Sequence, residues 1–234
     1  MKKIVIALCM VVIVAFSSAV GLCVQALAAP RAVSAFDNSL RIVLDAGHGG
    51  IDGGVVGRNT GVKESDLNLA IVYRLKDCLE EIGFQVELTR KTEAGLYGTT
   101  AKGFKKRDMQ RRKEIIEEVN PALVISIHQN YYPTRGTRGG QVFYSKTQSG
   151  SQKLALSLQE KLNVLYAKEN VKERIAASGE FFMLECADCP SVIVECGFLS
   201  NADDERLLST ETWQKNLSES LASGVMDYFS DLSM

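Results

Sequence analysis

Histidine is scarce in this chain, two residues in 234, and so is any excess of charge: 27 basic against 28 acidic residues leave a formal net charge of −1. Proteins whose main task is to hold nucleic acid carry a basic excess, so that class is excluded. There is no internal repeat, no H-E-x-x-H helix and no P-loop, and GHGGIDGG at 47–54 does not match G-x-G-x-x-G either. Only one long uncharged apolar run occurs, from Ile4 to Val24, which excludes a multi-span membrane protein. The 46% hydrophobic composition excludes a disordered tail or a collagen-like rod. What remains is one globular domain of roughly 200 residues.

The apolar run follows Lys2 and Lys3 and closes on Gln25-Ala26-Leu27-Ala28-Ala29, a small-residue cleavage pattern. Residues 1–28 are expected to be a signal peptide or an uncleaved membrane anchor, since 4–24 reaches spanning length. A linker at 29–40 and a folded domain at 41–230 follow, delivered outside the cytoplasm. Leu22 before Cys23 is not the small residue that a lipoprotein signal requires.

From Arg41 onward, strand-like runs alternate with amphipathic helix patterns. RIVLDA at 41–46 reads as a strand, and 65–83 as a helix with Ser65 as N-cap and Gly83 past its end. Strands are also expected at 84–90, 122–128, 139–145 and 191–197. Helices are expected near 105–119, over 151–166, and on the Trp213, Leu217, Leu221, Val225 and Phe229 face. Strands interleaved with helices imply an α/β domain with a largely parallel sheet.

Each histidine directly follows a β run: His48 in LDAGHGG and His128 in ISIHQN. Glu195 in IVECGF occupies the same kind of position on a third run. The carboxyl ends of strands in open α/β sheets are where sites form. Two imidazoles and a carboxylate are the usual open set for a catalytic zinc, so a third ligand is needed. Glu64 is the best candidate, because it ends the glycine-rich loop leaving His48. On spacing alone it also reads as an exposed acid complementing a helix amino terminus.

DAGHGGIDGG at 45–54, KES around Glu64, SIHQN at 126–130 and PSVIVECGFLSN at 190–201 together resemble the zinc N-acetylmuramoyl-L-alanine amidases of the amidase-3 family. The resemblance spans 41–230 and implies an amidase catalytic domain: a mixed, mostly parallel six-stranded sheet flanked by helices. It implies one zinc ion on His48, Glu64 and His128, with Glu195 as the catalytic carboxylate. Glu195 would take the attacking water's proton and pass it to the departing L-alanine nitrogen. The implied substrate is peptidoglycan. Gln129 and the cysteines at 186, 189 and 196 depart from the family's pattern. The compact organisation resembles germination-specific amidases of spore formers, which implies a role in spore cortex and a location between the forespore membranes.

Asn130, Tyr131, Tyr132, Arg135 and Arg138 follow His128 and are placed along the groove, Asn130 and Arg138 as substrate contacts. The basic stretch from Lys102 to Lys113 reads as a solvated helix face or a rim for an acidic substrate, with Arg112 as a structural residue. Cys78 falls on an apolar helix face, and Cys186, Cys189 and Cys196 are either free thiols or include a disulfide. A wall-binding module without turnover and a thiol oxidoreductase are the competing readings. The chain shows neither a wall-binding repeat nor a helical insertion that would plug the site, so control by a regulatory or targeting protein partner is expected.

Overall fold

The computed structural model describes residues 40–232; the expected leader, anchor segment and linker up to residue 39 lie outside the described residues. Among the described residues no helix is long and apolar enough to cross a membrane. Six strands, β1 (Arg41–Ala46), β2 (Gln85–Leu88), β3 (Leu123–Asn130), β4 (Gln141–Tyr144), β5 (Ala177–Ser178) and β6 (Ser191–Phe198), form one sheet in the order β2-β1-β3-β6-β4-β5. All neighbours run parallel except β4 and β6. Six helices lie among the described residues: α1 (Glu64–Ile82), α2 (Phe104–Val119), α3 (Ser151–Ala167), α4 (Phe182–Glu185), α5 (Ala202–Leu208) and α6 (Glu211–Ser230).

The central strands are apolar without alternation because helices cover both faces of the sheet. Ile42, Val43 and Leu44 on β1 and Leu123, Val124 and Ile125 on β3 have no solvent exposure. α1, α3 and α6 pack together on one face. On the other, α2 and α4 close a smaller core of Ile116, Met183 and Leu184 over Val43, Val124 and Ile193.

From β1 the chain moves outward to β2 and then returns across β1 to β3. Strand order therefore reverses between β1 and β3, and the crevice at their carboxyl ends is where this architecture places ligands. His48 lies just past β1 and His128 lies within β3. Register sets His128 opposite Glu195 on β6, with a bulge between His128 and Asn130.

Two expectations about local structure are corrected. Lys63, not Ser65, caps α1; Ser65 lies inside the first turn and its hydroxyl donates to Asp66 at 3.2 Å. Glu64 therefore opens the helix, and at 2% exposure it is not a solvated acid. The periodicity also gave no sign of β5, α4 or α5. The first two are too short to display a period, and α5 is seven residues begun by an Asn201 side chain that accepts from the amides of Asp203 and Asp204.

Candidate metal centre

His48 takes a left-handed backbone, φ 62°, uncommon for any residue but glycine. Two buried arginines hold it there. Arg112 donates to the carbonyls of Ala46 at 2.8 Å and His48 at 2.6 Å. Arg90 donates to those of Ala46 at 2.8 Å, Gly47 at 3.2 Å and Ser65 at 2.7 Å. Arg112 is itself neutralised by Asp45 at 2.5 Å and Asp108 at 2.7 Å. Burial would raise the Asp45 carboxyl, but Arg112, with hydroxyl donors Ser126 and Thr89, holds it down at about 2.

Glycine is required beside this turn. A Cβ on Gly47 would stand 2.2 Å from the His128 ring, and one on Gly54, φ 66°, would stand 2.3 Å from Glu64 Oε2. With both positions bare, three side chains converge. Glu64 Oε1 lies 2.9 Å from His128 Nδ1 and 3.3 Å from His48 Nε2. The two rings meet edge to face with centroids 5.0 Å apart.

These three side chains could hold a metal ion, each offering one atom within 4.8 Å of the others. The spacing fits: with metal–ligand bonds of 2.0–2.1 Å, the edge of a tetrahedron is about 3.3 Å. The supporting shell fits too. His48 Nδ1 faces Asp52 at 3.2 Å, and Lys105 Nζ sits 3.3 Å from the same carboxylate. Burial opposes a charge on His48, but Glu64 and Asp52 raise its pKa above the ordinary value. Glu64 accepts from the Val55 amide at 2.8 Å and the Gln129 amide at 3.0 Å; burial would raise its carboxyl, but His128 and His48, through hydrogen bonds and charge, outweigh it and depress its pKa.

Glu195 stands out because its Oε2 is buried with no hydrogen-bond partner. Burial, only partly offset by His128 and reinforced by the Glu64 charge, pushes its carboxyl up to about 7. A free carboxylate kept dry beside two imidazoles and an acid is costly unless a cation enters the site. In metal-free protein the folded chain therefore binds this proton more tightly than the unfolded chain. The associated stability is full below about pH 4.5 and falls as pH rises through about 7, by on the order of 3 kcal/mol. Urea unfolding of metal-free Glu195→Gln should show a gain of that size over the wild type at pH 8 and none near pH 4.

A cavity of about 250 Å³ opens beside the two histidines, walled by Tyr97, Phe104, Met109 and Met183, with Lys105 among its lining residues. The family model described as N-acetylmuramoyl-L-alanine amidase matches residues 42–227. The chain belongs to this amidase family. A germination-specific member from Bacillus subtilis is 32% identical over 193 residues, 81% of this chain and 80% of that one. The CwlD amidase from Clostridioides difficile, solved in complex with the GerS lipoprotein, is 34% identical with a TM-score of 0.77, covering 82% of this chain and 99% of that one. The catalytic domain of CwlV from Bacillus (Paenibacillus) polymyxa var. colistinus is 26% identical with a TM-score of 0.71, over 82% and 98%. The amidase is thus a peptidoglycan hydrolase acting on the amide between N-acetylmuramic acid and L-alanine.

The amidase fold brings His48, Glu64, His128 and Glu195 together, but treats the other expected residues differently. Asn130 ends β3, its side chain accepting from the Tyr131 amide at 2.8 Å. Arg138 is engaged by Asp204 at 3.0 Å and Asp203 at 3.3 Å. Tyr131 and Tyr132 are exposed, and Arg58 stacks over Tyr131. Cys78, Cys186, Cys189 and Cys196 are all free, and burial raises each thiol, Cys186 to about 11. Protonated thiols make poor redox nucleophiles. Sequence reasoning overlooked Asp52, Arg90 and Asn68. Asn68 stands one turn after Glu64, donates to it and to the Gly47 carbonyl, and accepts from Gln129.

Proposed function

We propose that this amidase is a zinc enzyme in which His48, Glu64 and His128 hold one ion and Glu195 is the general base. The observation that carries the reading is the buried, unpartnered Oε2 of Glu195 beside the three-ligand cluster. Zinc, when bound, supplies Lewis acidity that polarises the scissile carbonyl and acidifies water towards a pKa of about 7. The chain supplies the rest. Asp52 accepts the Nδ1 proton of His48 and so points the Nε2 lone pair inward. Glu195 takes the proton of the attacking water and delivers it to the L-alanine nitrogen as that bond breaks. The dry surroundings of Oε2 keep bulk water from competing for the proton.

Asn130 and Arg138 are assigned to the groove wall, Arg138 acting from its anchorage on Asp204. The likeness to a germination-specific amidase and to CwlD supports a role in spore cortex, where stem-peptide removal precedes muramic lactam formation. Residues 1–28 are assigned to export, which places the enzyme outside the cytoplasm, and the CwlD complex with a lipoprotein supports a protein partner here.

Mass spectrometry of peptidoglycan digested by residues 29–234 with zinc tests this reading. Stem peptides beginning at L-alanine should appear, and a chelator should abolish them. His48→Ala and His128→Ala should each lose stoichiometric zinc and all detectable turnover. Cleavage that persists in metal-free protein would sink the proposal.

A further inference from the structure

Between His48 and Glu64 the chain makes an excursion that folds back on itself. Gly57 N donates to the Val62 carbonyl at 2.8 Å, and Val56 bridges Lys63. Glu64 N then donates to the Val55 carbonyl at 2.9 Å, and Val55 N donates to Glu64 Oε2 at 2.8 Å. Any slack in residues 55–63 therefore passes directly to the Glu64 carboxylate. The tip of the excursion, Asn59 and Thr60, is exposed. Local bonds at the tip run from Gly61 N to the Gly57 carbonyl at 3.0 Å and from Val62 N to the Thr60 hydroxyl at 3.2 Å, and neither ties it to the rest of the protein.

A carboxylate about 145 residues downstream does. Glu205 on α5 is fully buried. It accepts from the Asn59 amide at 3.0 Å and side chain at 2.8 Å, and from the Thr60 amide at 2.7 Å and hydroxyl at 2.7 Å. Burial would raise this carboxyl, but the Thr60 and Asn59 donors outweigh it and lower its pKa. The approach is close: a Cβ on Gly57 would lie 2.6 Å from Glu205 Oε1. The preceding residue, Asp204, accepts from Phe198 N at 3.1 Å and Gly139 N at 2.8 Å. One short helix thus grips both the Glu64 loop and the end of β6, the strand that carries Glu195. If these acids served only to complement the α5 amino terminus, their oxygens would face its amides; they face other segments instead.

We infer that Glu205 is a positioning residue for the metal ligand Glu64, an inference that rests on the metal reading above. It acts by fixing the Asn59–Thr60 tip, so that Glu64 meets the histidines preorganised. A glutamine at 205 keeps the shape but turns an N–H donor towards groups that are themselves donors.

The test measures zinc affinity of the full-length protein by competition with a chromophoric chelator, and hydrogen exchange of the metal-free protein over residues 53–64. For Glu205→Gln we expect zinc affinity to fall about 10–100-fold, with faster exchange over 53–64 and unchanged exchange in β1 and α6. Saturating zinc should restore its kcat/KM, and a defect in overall fold stability would instead quicken exchange in β1 and α6 as well as over 53–64. Thr60→Val, altered at an exposed site, should give a partial loss, and the double variant should be no worse than Glu205→Gln alone. Should Glu205→Gln not fold, Thr60→Val and Gly57→Ala carry the same expectation from the loop side. Unchanged zinc affinity and unchanged exchange over 53–64 would overturn the inference. A wild-type chain that takes up no zinc would instead overturn the metal reading, and exchange alone would then decide whether Glu205 holds the loop.

Discussion

Glu195→Gln should lower kcat by about 10²–10⁴-fold, the usual worth of a positioned general base, while one zinc per chain still binds. The reason lies in the division of labour at the sheet edge. The three proposed ligands come from the β1 loop, the first turn of α1 and β3, whereas Glu195 comes from β6 and its Oε2 has no hydrogen-bond partner. Removing its charge leaves the ligand geometry intact but deprives the attacking water of a proton acceptor. An amide oriented like the carboxylate also preserves packing, so a loss of turnover cannot be assigned to collapse of the cleft. Zinc titration beside steady-state kinetics separates the two effects. A variant that turned over normally would remove Glu195 from the mechanism, and one that lost zinc would recast it as a ligand.

Arg112→Leu should be the most damaging change to the fold, costing about 3–5 kcal/mol in a urea titration, because it strands charges inside the protein. Arg112 is 1% exposed and is the shared counterion of Asp45 and Asp108. Leucine fills part of the space but takes a donor from both carboxylates and from the His48 carbonyl, while the Ala46 carbonyl keeps only Arg90. The loss should depend on pH with a definite sign. In the wild type the Asp45 contribution is complete above about pH 4 and is lost as pH falls towards 2. Without Arg112 the buried Asp45 carboxyl favours its proton, so the gap between variant and wild type should narrow on acidification over that range. Zinc affinity should fall as well, because the left-handed turn at His48 loses one of the arginines that hold it. A stability difference that stayed constant from pH 6 to pH 2 would argue against the buried ion triad as its source.

Much of this architecture can be read from the chain, for reasons that differ by element. β1, β3 and β6 are legible because burial on both faces makes them unbroken apolar runs. Gly83 marks the end of α1 because φ 110° is accessible chiefly to glycine. His48, His128 and Glu195 are legible as polar residues at strand ends, where core packing does not explain them. Glu64 is harder, since an acid at the start of a helix has a local use and only tertiary closure shows it facing inward. Asp52, Arg90 and Glu205 have no periodicity of their own. Their roles arise from hydrogen bonds between segments, Glu205 reaching 146 residues back to Asn59, and no local pattern records such a distance. The Ser65 cap failed because the loop's own backbone bonds, not a side chain, deliver the chain into α1.

The order of the strands also bears on how the protein keeps to itself. β2 and β5 are the two edges of the sheet, four and two residues long, while the eight-residue strands β3 and β6 lie inside. Exposed sheet edges invite pairing with foreign strands, and length is what makes such pairing stick. On β2 the outward-alternating Gln85 and Glu87 add polarity and charge to an already brief edge. The strands most able to seed aggregation are therefore those with both neighbours already in place.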